Sequence, residues 1–163
     1  MTQTARRIVH IRGKDAVPFL QGLVSNDVLP LAKEPGIVWT ALLTAQGKYL
    51  ADFFVVNCEG VLLLDLPEAL ADQTLQRLAM YRLRADVRFV ASPLQVGRGL
   101  GSPPPGAFRD PRHSDLGWRH YAAKPQDQVV DWDAIRVARL IPESGIELLP
   151  NESYILEAGF EAL

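Results

Sequence analysis

Two carboxylates stand where carboxylates are unusual. Asp52 interrupts Leu50-Ala51-Asp52-Phe53-Phe54-Val55-Val56, and Glu157 lies among small and apolar residues in Leu156-Glu157-Ala158-Gly159-Phe160. A charge inside so apolar a segment must face solvent, find a partner or serve a ligand. For Asp52 the bland alternative is the wet face of an edge strand. Arg136 and Arg139 are three residues apart, which makes them neighbours on one side of a helix.

Other chemistries find less support. His10, His113 and His120 are scattered, without a helical metal-ligand pair, and the single cysteine, Cys58, completes no zinc or iron-sulfur ligand spacing. Gly97-Arg98-Gly99-Leu100-Gly101 has the wrong spacing for a phosphate-cradling loop and leads into prolines. Ser25, Ser102 and Ser144 fall in turns, none in a nucleophile-elbow pattern. No metal site is expected, and hydrolase chemistry is disfavoured.

The chain has 163 residues, enough for one domain with a real core. Its formal charge of -2, with both signs spread along the sequence, is not the footprint of a general nucleic-acid binder. No apolar run approaches the roughly 18 residues of a membrane span. With one cysteine and no signal-peptide pattern near Met1, the expected location is a reducing one, the cytoplasm.

The elements that must position these residues read in order. Ile8, Val9 and Ile11 make a short strand that stops at Gly13, and Asp15 reads as the cap of a helix reaching Asn26-Asp27. Ile37 to Leu43 and Tyr49 to Asn57 are the arms of a hairpin around Gly47, and Val61 to Leu66 extends it to a meander. A helix opens at Pro67 and runs to about Arg84, with Leu70, Leu75, Leu78, Ala79 and Leu83 as core positions. Val87, Phe89 and Ala91 mark a further strand. The Pro- and Gly-rich stretch at about 97–112 reads as a connection between two halves of the domain. Trp118 to Ala122 is a brief strand, and Trp132 to Leu140 a helix with Asp131 or Asp133 as cap and Ile135, Ala138 and Leu140 inward.

Five segments in order, Gly13 to Val28, Leu42 to Val55, Tyr81 to Val87, Arg136 to Gly145 and Leu156 to Phe160, resemble the folate-binding superfamily of the glycine cleavage T-protein, and more closely its YgfZ branch. The resemblance spans nearly the whole chain. It implies a two-layer α+β domain over 1–163, built from two related sub-repeats around a pocket for tetrahydrofolate or a derivative. On the same footing Asp52, Glu157, Arg139, Tyr81 and Tyr154 become folate-binding residues. The pterin's 2-amino and ring N–H groups are parallel donors that a carboxylate accepts as a pair. Arginine suits the folate carboxylates: Arg139, or else Arg136, unless both merely solvate a helix face. Tyr81, Tyr154 and Trp39 are candidates for stacking on the ligand's rings, the alternative being ordinary core.

The departures are specific. T-proteins carry two adjacent acidic residues in the hairpin, where this chain has Ala51-Asp52. YgfZ-like proteins carry a K-G-C-Y-x-G-Q-E motif and a small barrel after the E-A-G segment. Neither is present, so the sequence is expected to match the N-terminal part of a longer protein, and Cys58 does not stand in for the motif's cysteine. The implied function is tetrahydrofolate binding in iron-sulfur cluster assembly or maintenance, with effects on tRNA modification and iron-sulfur client proteins as partners. The alternatives are a tetrahydrofolate-dependent aminomethyltransferase in which Asp52 is the catalytic carboxylate, and a truncated fragment without function.

Overall fold

A computed structural model describes residues 5–144 and 146–152. Five strands, β1 (Arg6–Arg12), β2 (Gly36–Leu43), β3 (Tyr49–Cys58), β4 (Val61–Pro67) and β5 (Arg88–Ala91), form an antiparallel sheet in the order β2-β3-β4-β1-β5. The meander β2-β3-β4 is the one the hairpin pattern predicts.

Successive side chains of a strand point to opposite faces, and here both faces are covered. Against one, α1 (Ala16–Gln21) and α2 (Glu68–Met80) pack Leu20, Ala71 and Leu78 on Val9, Phe53, Val55 and Leu64. The other face presents Ile8, Trp39, Phe54, Val56 and Leu63 to Tyr121 and Val96 of a second antiparallel sheet. That sheet consists of β6 (Gln95–Gly99), β7 (Phe108–Arg109) and β8 (Trp118–Ala122) in the order β6-β8-β7. Helix α3 (Trp132–Ala138) packs through Trp132 on Leu116 and Ile141. The expected α+β character holds, but two layers become three. Burial on both faces is why β3 shows no apolar-polar alternation.

β6 runs through Gly97 and Gly99, so within the 97–112 stretch read as a connection the irregular part between strands is 100–107. A Cβ on Gly97 would stand 1.8 Å from the Gln126 carbonyl oxygen, and one on Gly99 2.2 Å from the Trp118 ring. These glycines admit close neighbours inside a strand; they do not punctuate a loop.

The helices are shorter than their apolar spacing predicts. α1 stops before Gly22, and Val24 instead bridges Leu42. Asp15 does not cap α1 but accepts the Asp86 N–H at 2.8 Å, tying the helix start to the segment before β5. Leu83 and Leu140 follow the ends of α2 and α3 with φ of 46° and 57°, and are 90% and 84% exposed rather than core. Ala138 is exposed as well. The predicted cap of α3 is in place, Asp131 accepting the Ala134 N–H at 3.0 Å.

Candidate functional site

Leu42 pairs with Ala51 and Leu43 with Tyr49, which leaves Leu50 as the extra residue of a β-bulge. In a regular strand, residues three apart point to opposite faces. The bulge turns Tyr49 onto the face of Asp52, where its hydroxyl donates to Asp52 Oδ1 at 2.5 Å. From β2, Trp39 Nε1 donates to Asp52 Oδ2 at 3.1 Å. Asp52 is 7% exposed and lies on an internal strand between the two sheets, so the wet-edge alternative is excluded. Burial, reinforced by the Asp52 charge, pushes the Tyr49 phenol far above its ordinary value and keeps it a neutral donor. Ser144 also reaches that phenol. Among the described residues no cation pairs with Asp52, and each carboxylate oxygen retains capacity for a further donor.

A second carboxylate on the same face is held quite differently. Asp65 of β4 lies opposite Phe54, which is two residues along β3 from Asp52. It accepts from Arg6 Nε, Arg119 Nη2 and the Tyr121 hydroxyl, all at 2.7 Å, and is fully buried. Burial pushes its carboxyl up, but the Arg6 and Arg119 guanidiniums outweigh that and hold it well below the usual carboxylate range. Arg119 also stands 3.7 Å from Asp110, which Arg112 grips through two bonds of 3.0 and 2.8 Å. Three of these guanidiniums, Arg119, Arg112 and Arg6, lie over the Phe54 ring at 4.2, 5.0 and 5.7 Å. The network bolts the second sheet to the first. Asp65, set in Leu62-Leu63-Leu64-Asp65-Leu66, carries in sequence the same signal as Asp52, a lone charge in an apolar strand.

The remaining predicted residues are dispersed. Arg139, half exposed, is bound to Asp115 at 2.6 Å. It lines a cleft of about 790 Å³ with Arg109, Ser102, Ser114 and Ile135, and Asp52 is not among that cleft's walls. Arg136 is buried, not solvating a helix face: it bonds Asp133 at 2.8 Å and both Glu147 oxygens at 3.0 Å. Tyr81 is half exposed beyond the end of α2, on the layer opposite to the Asp52 face. Tyr154 and Glu157 lie outside the described residues. Thus Trp39 and Tyr49 meet Asp52, whereas Arg139 and Tyr81 do not. Tyr49, read from the sequence as the start of a strand and given no role in the site, joins this group because the bulge sets its orientation.

A three-layer antiparallel α+β architecture with a buried, hydrogen-bonded carboxylate on the meander defines the class. The fold is similar to that of the glycine cleavage system aminomethyltransferase T from Bartonella henselae, with a TM-score of 0.50 and 17% identity, over 57% of this chain and 26% of that one. The chain is 29% identical over 192 aligned residues to the mouse mitochondrial iron-sulfur cluster assembly factor IBA57, a span of 94% of this chain and 53% of that protein. It is 28% identical to the human factor over the same shares, and 30% identical to the Mycosarcoma maydis homologue over 70% of this chain and 34% of that protein. No family model matches the chain. It spans about half the length of the mouse and human relatives. The chain is thus similar in sequence to iron-sulfur cluster assembly factors of the IBA57 kind and in fold to an aminomethyltransferase.

Proposed function

We propose that this chain binds tetrahydrofolate or a derivative and acts in iron-sulfur cluster assembly or maintenance. The observation that carries the binding half is Asp52: a buried carboxylate supplied with two neutral donors and no counter-cation among the described residues. An uncompensated buried charge is unfavourable, and a ligand offering parallel N–H donors relieves it. A pterin has that edge. Tyr49 and Trp39 fix the carboxylate's orientation while leaving its outer lone pairs for the ligand. The assembly half rests on the named relatives, with iron-sulfur client proteins as the partners and an effect on tRNA modification downstream.

Within this reading Asp52 orients a ligand and catalyses nothing. Glu157 and Tyr154 stay candidates on the resemblance alone, as does the two-sub-repeat organisation. Arg139 would need to exchange Asp115 for a folate carboxylate. The named relatives are mitochondrial, so the cytoplasmic location belongs to the proposal. Titration of the chain with tetrahydrofolate, wild type against Asp52→Asn, tests the binding half. Cluster content of iron-sulfur enzymes in cells lacking the chain, with and without the Asp52→Asn form restored, tests the assembly half.

The aminomethyltransferase fold favours a second reading, transfer of an aminomethyl group to tetrahydrofolate with Asp52 polarising the reacting amine. An assay for methylene-tetrahydrofolate from an aminomethylated lipoyl donor separates the two: turnover that Asp52→Asn abolishes supports transfer, and folate binding without turnover supports the first.

A further inference from the structure

We propose that the free edge of β5, together with the turn that leads into it from α2, is a docking surface for an extended acidic segment of a partner protein bearing apolar side chains. Among the described residues β5 pairs with β1 alone and ends the five-stranded sheet. An edge strand presents unpaired backbone groups whose natural complement is another strand.

Along β5, the turn before it and the end of α2, the chain exposes apolar side chains. Met80 is 71% exposed, Leu83 90% and Val90 42%. Leu83 has a φ of 46°. A leucine in the left-handed region carries a penalty of about 1–2 kcal/mol that glycine would escape. At such exposure no packing within the described residues offsets it.

The charge here is also mostly positive: Arg12, Lys14, Arg82, Arg84 and Arg88 outnumber Asp15 and Asp86. Arg12 and Arg88 face each other directly across the β1–β5 pair, an arrangement that is unfavourable within the chain. Arg84 stands between α2 and β5, and none of the three has an acidic partner among the described residues. This concentration belongs to a chain whose formal charge is -2, so it is local. Carboxylates on an added strand would relieve the Arg12–Arg88 conflict, and its apolar side chains would cover Leu83 and Val90. The backbone edge and the aliphatic character favour a polypeptide over a nucleic acid.

The test uses fluorescence anisotropy with the full chain and three labelled probes: a peptide alternating glutamate with valine and leucine, its lysine-for-glutamate counterpart, and a single-stranded RNA oligonucleotide. The acidic peptide should bind, the lysine peptide and RNA more weakly. Leu83→Gly should weaken the acidic peptide about fivefold or more while leaving the melting temperature unchanged or raised. Arg88→Glu should weaken it similarly and improve the lysine peptide. No acidic-peptide binding at millimolar protein, tighter binding of RNA, or equal affinity in wild type and both variants overturns the proposal. Folate enters none of these measurements, so their failure is separate from failure of the folate reading.

Discussion

Tyr49 and Asp52 are three residues apart in one strand, and their side chains meet because Leu50 bulges out of register between them. The bulge converts an ordinary hairpin arm into a holder for a buried carboxylate. Tyr49→Phe keeps the ring and removes the hydroxyl, leaving Asp52 Oδ1 without its donor. A buried acceptor stripped of its partner costs about 1–3 kcal/mol. Urea unfolding of the variant should show a loss in that range; an unchanged midpoint would mean that the bond contributes nothing to stability.

Asp65 should be the more sensitive position. Removing one member of a buried, hydrogen-bonded ion pair costs about 3–5 kcal/mol, because the partner cations are left unpaired. Asp65→Asn is therefore expected to destabilise more than Tyr49→Phe in the same unfolding experiment. The reverse order would show that Arg6 and Arg119 find other acceptors.

The same network sets the acid limit of the fold. The carboxyls of Asp65 and Asp110 are depressed in the folded state by their arginines despite burial, and an unfolded aspartate titrates near about 3.9. A depressed folded value contributes stability that is fully present above the unfolded value and is lost as pH falls towards the folded one. Stability should thus be level above about pH 5 and fall steadily below about pH 4. Asp65→Asn should flatten that fall. Chemical denaturation from pH 7 to pH 2 measures both.

Much of this architecture is legible in the residues. The meander, the strand at Trp118 to Ala122 and the Asp131 cap follow from local apolar pattern and capping chemistry. The second sheet does not, because Gly97 and Gly99 carry a loop signal locally and acquire their reason from Gln126 and Trp118, distant in sequence. Leu83 and Leu140 fit the helical period, but the helices end before them for want of anything to pack against. At the site, Asp52 stands out as a charge among apolar residues. Its partners Trp39 and Tyr49 do not, since one comes from the neighbouring strand and the other through a one-residue bulge.

The glycine explanation is itself testable. Gly97→Ala puts a methyl group into the Gln126 carbonyl and should destabilise by about 1–3 kcal/mol through forced backbone movement. Gly22→Ala, at a φ of -75° with its nearest neighbour 3.7 Å away, should be neutral or stabilise by about 0.4–1 kcal/mol. Thermal unfolding of the two variants compares them directly, and equal effects would undo the assignment of Gly97 to a close approach within β6.

On the folate reading, Asp52 is kept buried, with no counter-cation among the described residues, in order to receive a ligand's donor pair. Isothermal titration of the chain with tetrahydrofolate, in parallel with Asp52→Asn checked for an intact melting transition, tests it most directly. The prediction is saturable binding by the wild type and a loss of about tenfold or more in the variant, the value of a charge-assisted bond of about 1.5–3 kcal/mol. No binding at millimolar tetrahydrofolate, or equal affinity in the two proteins, would contradict it.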